Sequence, residues 1–157
     1  MLAYRAFALP GFAAALMLTS AMSGNQSTEA KFAAATFGGP VTAHVERVVD
    51  GDTIEVKADI WLEQSVTVRV RIEGVDAPEM EARCAAERER AEAAREFLER
   101  RIGGGEVRLS QVVYDKYGGR VRASVADQDG DIGSALLARK LVRPYHGGKR
   151  QPWCEPA

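Results

Sequence analysis

The sequence predicts an α+β fold, mainly β: a five-stranded barrel of the OB type with two helices packed on it. Between Val41 and Ala126, apolar and polar residues alternate in five segments, as they do in half-buried strands. Two further segments repeat apolar residues at helical spacing, one after the third strand and one after the fifth. Three strands, a helix, two strands and a helix is the element order of such a barrel.

The first three strands are predicted to form a meander. Asp50-Gly51 separates two alternating segments, and Asp-Gly in such a place is a strong hairpin signal. In residues 66–72, valine and isoleucine alternate with polar residues, which places Arg71 on the polar face of the third strand. We expect this strand to run on to Pro78, because proline cannot donate a ladder hydrogen bond.

The remaining elements follow the same patterns. A helix is predicted over residues 80–102, where apolar residues recur at helical spacing until three consecutive glycines end it. Strands four and five are predicted over residues 106–113 and 120–126, joined by a glycine-containing turn. A second helix is predicted over residues 132–140, with Asp131 as its N-cap.

The N-terminal segment has the features of a secretory signal peptide, predicted over residues 1–23. Arg5 precedes an apolar stretch, and small residues follow that stretch. Because Pro10 interrupts it and a permanent span needs roughly 20 apolar residues, an uncleaved membrane anchor is the second interpretation. Residues 24–40 are predicted as a linker and residues 41–157 as the folded domain. The protein should therefore be secreted or periplasmic.

The composition and the two cysteines narrow the class of protein. The 157 residues carry 21 Lys/Arg against 22 Asp/Glu, and a net charge of −1 counts against a large non-specific nucleic-acid footprint. Cys84 and Cys154 form an even pair, which we expect to be disulfide-bonded after export. A metal site is less favoured, because neither cysteine belongs to a CxxC pair and histidine is scarce.

Three short motifs place acidic and guanidinium side chains near the ends of predicted strands. They are VDGDT at 49–53, RIEGVDAPE at 71–79 and DKYGGR at 115–120. Carboxylate oxygens bind hard divalent cations. Guanidinium groups bind a phosphate and neutralise the charge that it gains in a transition state. The combination suggests hydrolysis of a phosphodiester.

Each motif on its own also has a simpler interpretation. Asp50 and Asp52 would then be polar residues of a hairpin turn. Arg71 would be an exposed strand arginine paired with Glu73 or Glu55. Strand register decides between the two interpretations, and the sequence does not fix it.

Taken together, in this order and at this spacing, the motifs resemble those of the staphylococcal nuclease (thermonuclease) family over residues 41–146. The resemblance implies an OB-type barrel and Ca²⁺-dependent hydrolysis of DNA and RNA that leaves a 3′-phosphate. The metal ligands that it implies are Asp52, Asp76 and the backbone carbonyl of Ala77, with Asp50 close by.

The resemblance also implies roles for the other charged residues of the motifs. Arg71 and Arg120 would hold the phosphate and its transition state, and Glu79 would orient or activate the attacking water. Lys116 and Tyr117 would contact a nucleotide's terminal phosphate. We expect Arg71 and Glu79 to be exposed at the mouth of the barrel.

The chain departs from the family pattern at two places. Gly119 adds one residue before Arg120 relative to the commonest spacing, which leaves the direction of that arginine open. Lys140 stands where the family often has glycine, and a left-handed backbone there would cost about 1 kcal/mol. The alternative function is a non-catalytic nucleic-acid or anion-binding barrel, although Glu79 would repel phosphate. The sequence carries no oligomer signal, and we expect a monomer.

Overall fold

Five long strands close into a barrel in the computed structural model, which describes residues 36–116 and 118–154. The elements are β1 (Val41–Asp50), β2 (Thr53–Trp61), β3 (Gln64–Ile72), β4 (Val75–Asp76), α1 (Ala85–Ile102), β5 (Glu106–Tyr114), β6 (Arg120–Asp127), β7 (Gly130–Asp131), α2 (Ile132–Ala138) and β8 (Arg143–Pro144). The sheet order is β3-β2-β1-β5-β6, and a parallel pairing between β3 and β6 closes the barrel. The predicted fold class is confirmed.

The third strand ends earlier than predicted. β3 stops at Ile72, and Gly74 takes a left-handed backbone with φ of +80° that turns the chain. β4 then pairs with β8, with Asp76 opposite Arg143. The extension of the third strand to Pro78 is therefore wrong, because the turn at Gly74 separates Asp76 from the barrel sheet.

Helix α1 begins at Ala85, five residues later than predicted, with Cys84 as its N-cap. Its buried face includes Ala91 and Ala94, both fully buried, and it packs against β1. A Cβ at Gly51 would lie 2.7 Å from the Ala94 Cβ and 2.9 Å from the Ala77 Cβ. Glycine in the first hairpin is thus required by the close approach of α1, and not by a left-handed backbone.

Helix α2 begins as predicted but ends sooner. The Asp131 carboxylate accepts a hydrogen bond from the Ser134 N–H at 2.6 Å, which confirms the N-cap. The helix ends at Ala138, and Lys140 has φ of +58°. The N–H of Lys140 and that of Leu141 donate to carbonyls of the last turn, as in a Schellman motif. A lysine at this left-handed position costs about 1 kcal/mol relative to glycine.

The predicted disulfide is present. Cys84 and Cys154 are bonded, with their Cα atoms 6.1 Å apart and 70 residues between them in sequence. In the chain-entropy model a loop of that length stabilises the fold by about 4 kcal/mol. The bond fixes the end of the described chain beside the start of α1.

The structure describes only the end of the N-terminal region, from residue 36 onward. Residues 1–35, which include the predicted signal peptide, lie outside the described residues. Within the predicted linker, Phe37 exchanges two backbone hydrogen bonds of 2.8 Å with Val112 of β5. Among the described residues, neither helix combines the length and the apolar content needed to cross a membrane.

Candidate active site

A polar cavity of about 570 Å³ opens where β2 begins and β3 ends. Its lining combines acidic and basic side chains from all three motifs with residues of the C-terminal tail. The lining residues are Asp50, Asp52, Arg71, Ala77, Pro78, Glu79, Asp115, Lys116, Arg120, Arg122, Tyr145, Gly147, Gly148 and Arg150.

Asp52 lies at the centre of this arrangement, in the turn between β1 and β2. Its carboxylate is 2% exposed and accepts hydrogen bonds from the Ala77 N–H at 3.0 Å and the Thr53 hydroxyl at 3.0 Å. The Arg71 guanidinium donates to the same carboxylate at 3.1 Å. The Asp52 carbonyl accepts from the Ile72 N–H at 2.8 Å, which ties the turn to the end of β3. With these partners, Asp52 is part of a packed junction and is not a solvated residue of a simple hairpin turn.

Arg71 connects the two candidate metal-ligand carboxylates. Its Nη2 atom lies 2.9 Å from Asp52 and 3.5 Å from Asp76, so both carboxylates face one nitrogen. The same nitrogen donates to the Val75 carbonyl at 3.3 Å. The Arg71 side chain is 14% exposed, so the expectation that it is exposed at the barrel mouth is wrong. Burial follows from its two acidic partners, which are themselves almost completely buried.

The simpler pairing for Arg71 does not occur. Glu73 is bound to Arg122 at 3.0 Å, and Glu55 is bound to Arg47 at 2.8 Å. Both of those pairs are solvent-exposed, and exposed ion pairs contribute little to stability. The acidic neighbours on the strands are therefore satisfied by other arginines.

Burial raises the pKa of the Asp52 carboxyl to about 7. The positive charge of Arg71 opposes this rise, the charge of Asp50 adds to it, and hydrogen bonds from the Ala77 N–H and Thr53 oppose it. A cation bound here requires the carboxylate form, so binding would release protons from the protonated fraction.

The donor atoms of the site fit a hard divalent cation. The carboxylates of Asp52 and Asp76 and the carbonyl of Ala77 are oxygen donors in a mostly buried setting. Ca²⁺ accepts six to eight oxygens in flexible geometry, and waters commonly complete the shell. A cationic group of the protein already contacts part of this set, because the Arg150 guanidinium donates to Asp76 and to the Ala77 carbonyl.

Arg150 is a residue of this cavity that the motifs do not predict. Its guanidinium donates to the Asp76 and Glu79 carboxylates and, at 3.2 Å, to the Ala77 carbonyl. Burial disfavours its charge, but the hydrogen bonds and charges of Asp76 and Glu79 outweigh burial and raise its pKa. The signal in the sequence was the predicted disulfide, since Cys154 follows Arg150 closely and Cys84 follows Glu79 closely.

Arg120, the last residue of the DKYGGR motif, lines the same cavity as Arg71. Its Nε and Nη2 atoms each lie 2.6 Å from the Asp115 carboxylate, which fixes the plane of the guanidinium. The additional Gly119 takes a left-handed backbone with φ of +75° in the turn before it. Lys116 also lines the cavity, whereas Tyr117 lies outside the described residues.

A second acidic group supports the segment that carries Glu79. Glu87, 5% exposed, accepts hydrogen bonds from the Arg83 N–H at 3.0 Å and, weakly, from the Glu79 N–H at 3.5 Å. Its carboxylate lies beside the Cys84–Cys154 bond, but both sulfurs are used by that bond and do not form a metal site. Glu87 therefore stabilises the conformation of residues 79–83 by accepting hydrogen bonds from their backbone.

Residues 69–149 match the family model described as "Staphylococcal nuclease homologue". The matched segment includes Arg71, Asp76, Glu79 and Arg120, begins after Asp52 and ends one residue before Arg150. A search of curated proteins found no match.

Proposed function

Because the chain belongs to the staphylococcal nuclease homologue family, we propose that it is an exported, Ca²⁺-dependent nuclease that cleaves DNA or RNA to 3′-phosphate products. The family consists of metal-dependent nucleases, and their substrates are nucleic acids. One observation carries the finer proposal. Three separate motifs supply the buried carboxylate of Asp52, two arginines and the exposed carboxylate of Glu79 to one cavity, and Arg71 joins Asp52 to the second buried carboxylate, Asp76.

Calcium is the proposed metal because the donor set contains only oxygen. Asp52, Asp76 and the Ala77 carbonyl would hold it, and such ligands favour Ca²⁺ or Mg²⁺ over thiolate-seeking metals. When bound, the cation would polarise a phosphate oxygen and organise water. Mg²⁺ demands a stricter octahedral shell, so the mixed and partly buried set favours the more adaptable Ca²⁺.

The two arginines are proposed to bind the scissile phosphate. Arg71 and Arg120 line the same cavity, and each is held by a carboxylate that fixes the plane of its guanidinium. A planar fork binds two phosphate oxygens at once and keeps its charge. Such fixed donors stabilise charge that develops in the transition state, and losing one typically costs roughly 2.7–4 kcal/mol.

Glu79 is proposed to act on the attacking water. Its side chain is 53% exposed, so solvent reaches the carboxylate. Glu79 would accept a proton while the water oxygen bonds to phosphorus and the bond from phosphorus to the 5′ oxygen breaks. The leaving 5′ oxygen takes a proton from solvent, and the phosphate stays on the 3′ side. Lys116 and Tyr117 are proposed to contact a nucleotide's terminal phosphate.

Export fits the covalent structure of the domain. The Cys84–Cys154 bond is of the kind that persists in oxidising compartments. Together with the signal peptide predicted over residues 1–23, it supports a secreted or periplasmic location. An uncleaved anchor remains the alternative for the N-terminal segment.

A cleavage assay tests the proposal. The purified protein is incubated with denatured DNA and with RNA, in Ca²⁺ and then in excess chelator, and the product ends are identified. We expect Ca²⁺-dependent fragments that end in 3′-phosphate, because a flexible strand can bring its phosphate into the cavity. Binding without cleavage would instead identify a nucleic-acid-binding barrel and contradict the proposal.

A further inference from the structure

Arg150 contacts the groups that are proposed to bind the metal and to activate the attacking water. Its three acceptors are the carboxylates of Asp76 and Glu79 and the carbonyl of Ala77. Asp76 is 4% exposed and Ala77 is 2% exposed, so these oxygens have little solvent to replace the guanidinium. A metal ion that coordinates the Asp76 carboxylate and the Ala77 carbonyl competes with the guanidinium for these oxygen atoms.

The position of Arg150 is fixed by the fold of the tail on both sides of it. Before it, the Tyr145 N–H donates to the Gly74 carbonyl at 2.9 Å and the Tyr145 hydroxyl donates to the Gly148 carbonyl at 2.8 Å. After it, Arg143 donates to the Pro152 carbonyl at 3.0 Å, and the Cys84–Cys154 bond follows. The contacts of the tail on both sides of Arg150 therefore hold this residue at the cavity.

The charges around the cavity explain why a guanidinium is bound there. Asp50, Asp52 and Glu79 line the cavity, and Arg71 lies 2.9 Å from Asp52 and 3.5 Å from the buried Asp76. Arg120 and Arg122 also line the cavity, but they are bound to Asp115 and Glu73. Without a further cation beside Asp76 and Glu79, the acidic groups would repel one another in a poorly solvated place. The guanidinium of Arg150 supplies that cation in the metal-free protein.

We propose that Arg150 is a further residue of this site, which holds the cation position in the metal-free protein and sets the affinity for metal by competing for Asp76 and the Ala77 carbonyl. The inference rests on the proposed function, because it takes these oxygens to be metal ligands. Binding of the metal requires Arg150 to leave Asp76 and Ala77, which also releases Glu79. The disulfide bounds how far the tail can withdraw.

Calcium binding in the absence of nucleic acid tests the inference. Isothermal titration calorimetry is performed with Ca²⁺ on the wild type, on Arg150→Gln and on Lys149→Gln, with the disulfide intact in each. Lys149→Gln is the matched control, because this substitution removes the same charge from an exposed neighbouring position of the tail. We expect R150Q to bind Ca²⁺ about tenfold tighter than the wild type or more, because a charge-assisted competitor is gone. K149Q should stay within about twofold of the wild type, since exposed charges interact weakly.

The outcomes separate the inference from the proposed function. Equal or weaker binding by R150Q, with the wild type binding Ca²⁺, overturns the competition and leaves the proposed metal site intact. The same gain in K149Q and R150Q overturns it too, since tail charge alone would explain it. If no variant binds Ca²⁺, the proposed metal site fails and the inference fails with it.

A second variant allows the inference to be tested even if R150Q does not fold. Arg150→Lys keeps the charge but lacks the planar fork, so it reaches fewer of the three acceptors. We expect its affinity for Ca²⁺ to lie between those of the wild type and R150Q. If R150Q shows no cooperative thermal unfolding, the comparison of R150K with the wild type decides: equal affinities would overturn the inference.

Discussion

The carboxylate of Asp52 accepts a hydrogen bond from the backbone N–H of Ala77 at 3.0 Å. Asp52 lies in the first hairpin and Ala77 follows β4, so this contact joins two residues that are 25 positions apart and belong to different motifs. The close packing of Gly51 against Ala77 and Ala94 supports the same junction. The oxygens proposed as metal ligands are therefore positioned by backbone contacts, which is the kind of preorganisation that electrostatic catalysis requires.

Replacing Arg71 should destabilise the protein as well as inactivate it. Arg71→Ala leaves the buried carboxylates of Asp52 and Asp76 without their shared guanidinium, and removing one partner of a buried pair costs about 3 kcal/mol or more. Urea unfolding in chelator measures the free energy. The control is Arg69→Ala on the same strand, whose pair with Glu55 is surface-exposed and contributes below about 1 kcal/mol. Equal losses in R71A and R69A would contradict the role of the Asp52–Arg71–Asp76 cluster.

Replacing Glu79 should separate activity from stability. Glu79→Gln removes the proposed proton acceptor from an exposed position, so we expect a loss of roughly 10²-fold or more in cleavage rate. The thermal midpoint should change by no more than a few degrees, since the side chain is on the surface. Glu81→Gln, on an exposed neighbour, is the matched control. If E79Q cleaves denatured DNA as fast as E81Q, Glu79 has no part in the reaction.

A methyl group at Gly51 should disturb both packing and the proposed metal site. In Gly51→Ala the new Cβ would lie 2.7 Å from the Ala94 Cβ and 2.9 Å from the Ala77 Cβ. Overpacking of this kind costs about 1–3 kcal/mol, and the displaced Ala77 carbonyl should weaken Ca²⁺ binding. Gly38→Ala, where a Cβ meets nothing within 4 Å, should be nearly neutral in both measurements. Unchanged stability and Ca²⁺ affinity in G51A would show that α1 adjusts without cost.

The pair between Arg101 and Asp127 should make stability depend on pH in the acid range. The hydrogen bonds from Arg101, at 2.7 and 3.0 Å, lower the pKa of the Asp127 carboxyl below its usual 3.8, despite an opposing effect of burial. The unfolded chain then holds this proton more tightly than the folded protein does. The stabilisation is complete above pH 3.8 and is lost as pH falls through the lower folded value.

Asp127→Asn tests this pair. We expect a cost of about 1–3 kcal/mol at neutral pH, which shrinks below about pH 4 because the wild type is then protonated as well. Denaturant unfolding at several pH values measures both quantities, with the exposed Asp129→Asn as control. A cost that is constant from neutral pH down to pH 2 would show that the lost contact does not depend on ionisation.

The fold was predictable because strand alternation and helical periodicity are local signals. The start of α1 was not, since Glu81 and Arg83 also fit a helical surface, whereas Glu87 and the Cys84 disulfide hold that segment in another conformation. The left-handed turn at Gly74 likewise left no mark in the alternation pattern.

The sequence names most residues of the candidate site but not Arg150, and it does not predict how they are arranged. The motifs name Asp52, Arg71 and Asp76, but their meeting depends on the junction between the first hairpin and β4, which no local pattern records. The burial of Arg71 follows from that same junction. Arg150 belongs to no motif, and tertiary anchoring of the tail alone brings it to Asp76.

Asp52, Asp76 and the Ala77 carbonyl are proposed to bind one divalent cation together. The most direct measurement is diffraction from crystals grown in Ca²⁺, with anomalous scattering to locate the ion. We predict one peak about 2.3–2.6 Å from oxygens of all three residues, with the Arg150 guanidinium moved away from Asp76. A well-ordered cavity with Arg150 still on Asp76 and no peak between the two carboxylates would contradict the account.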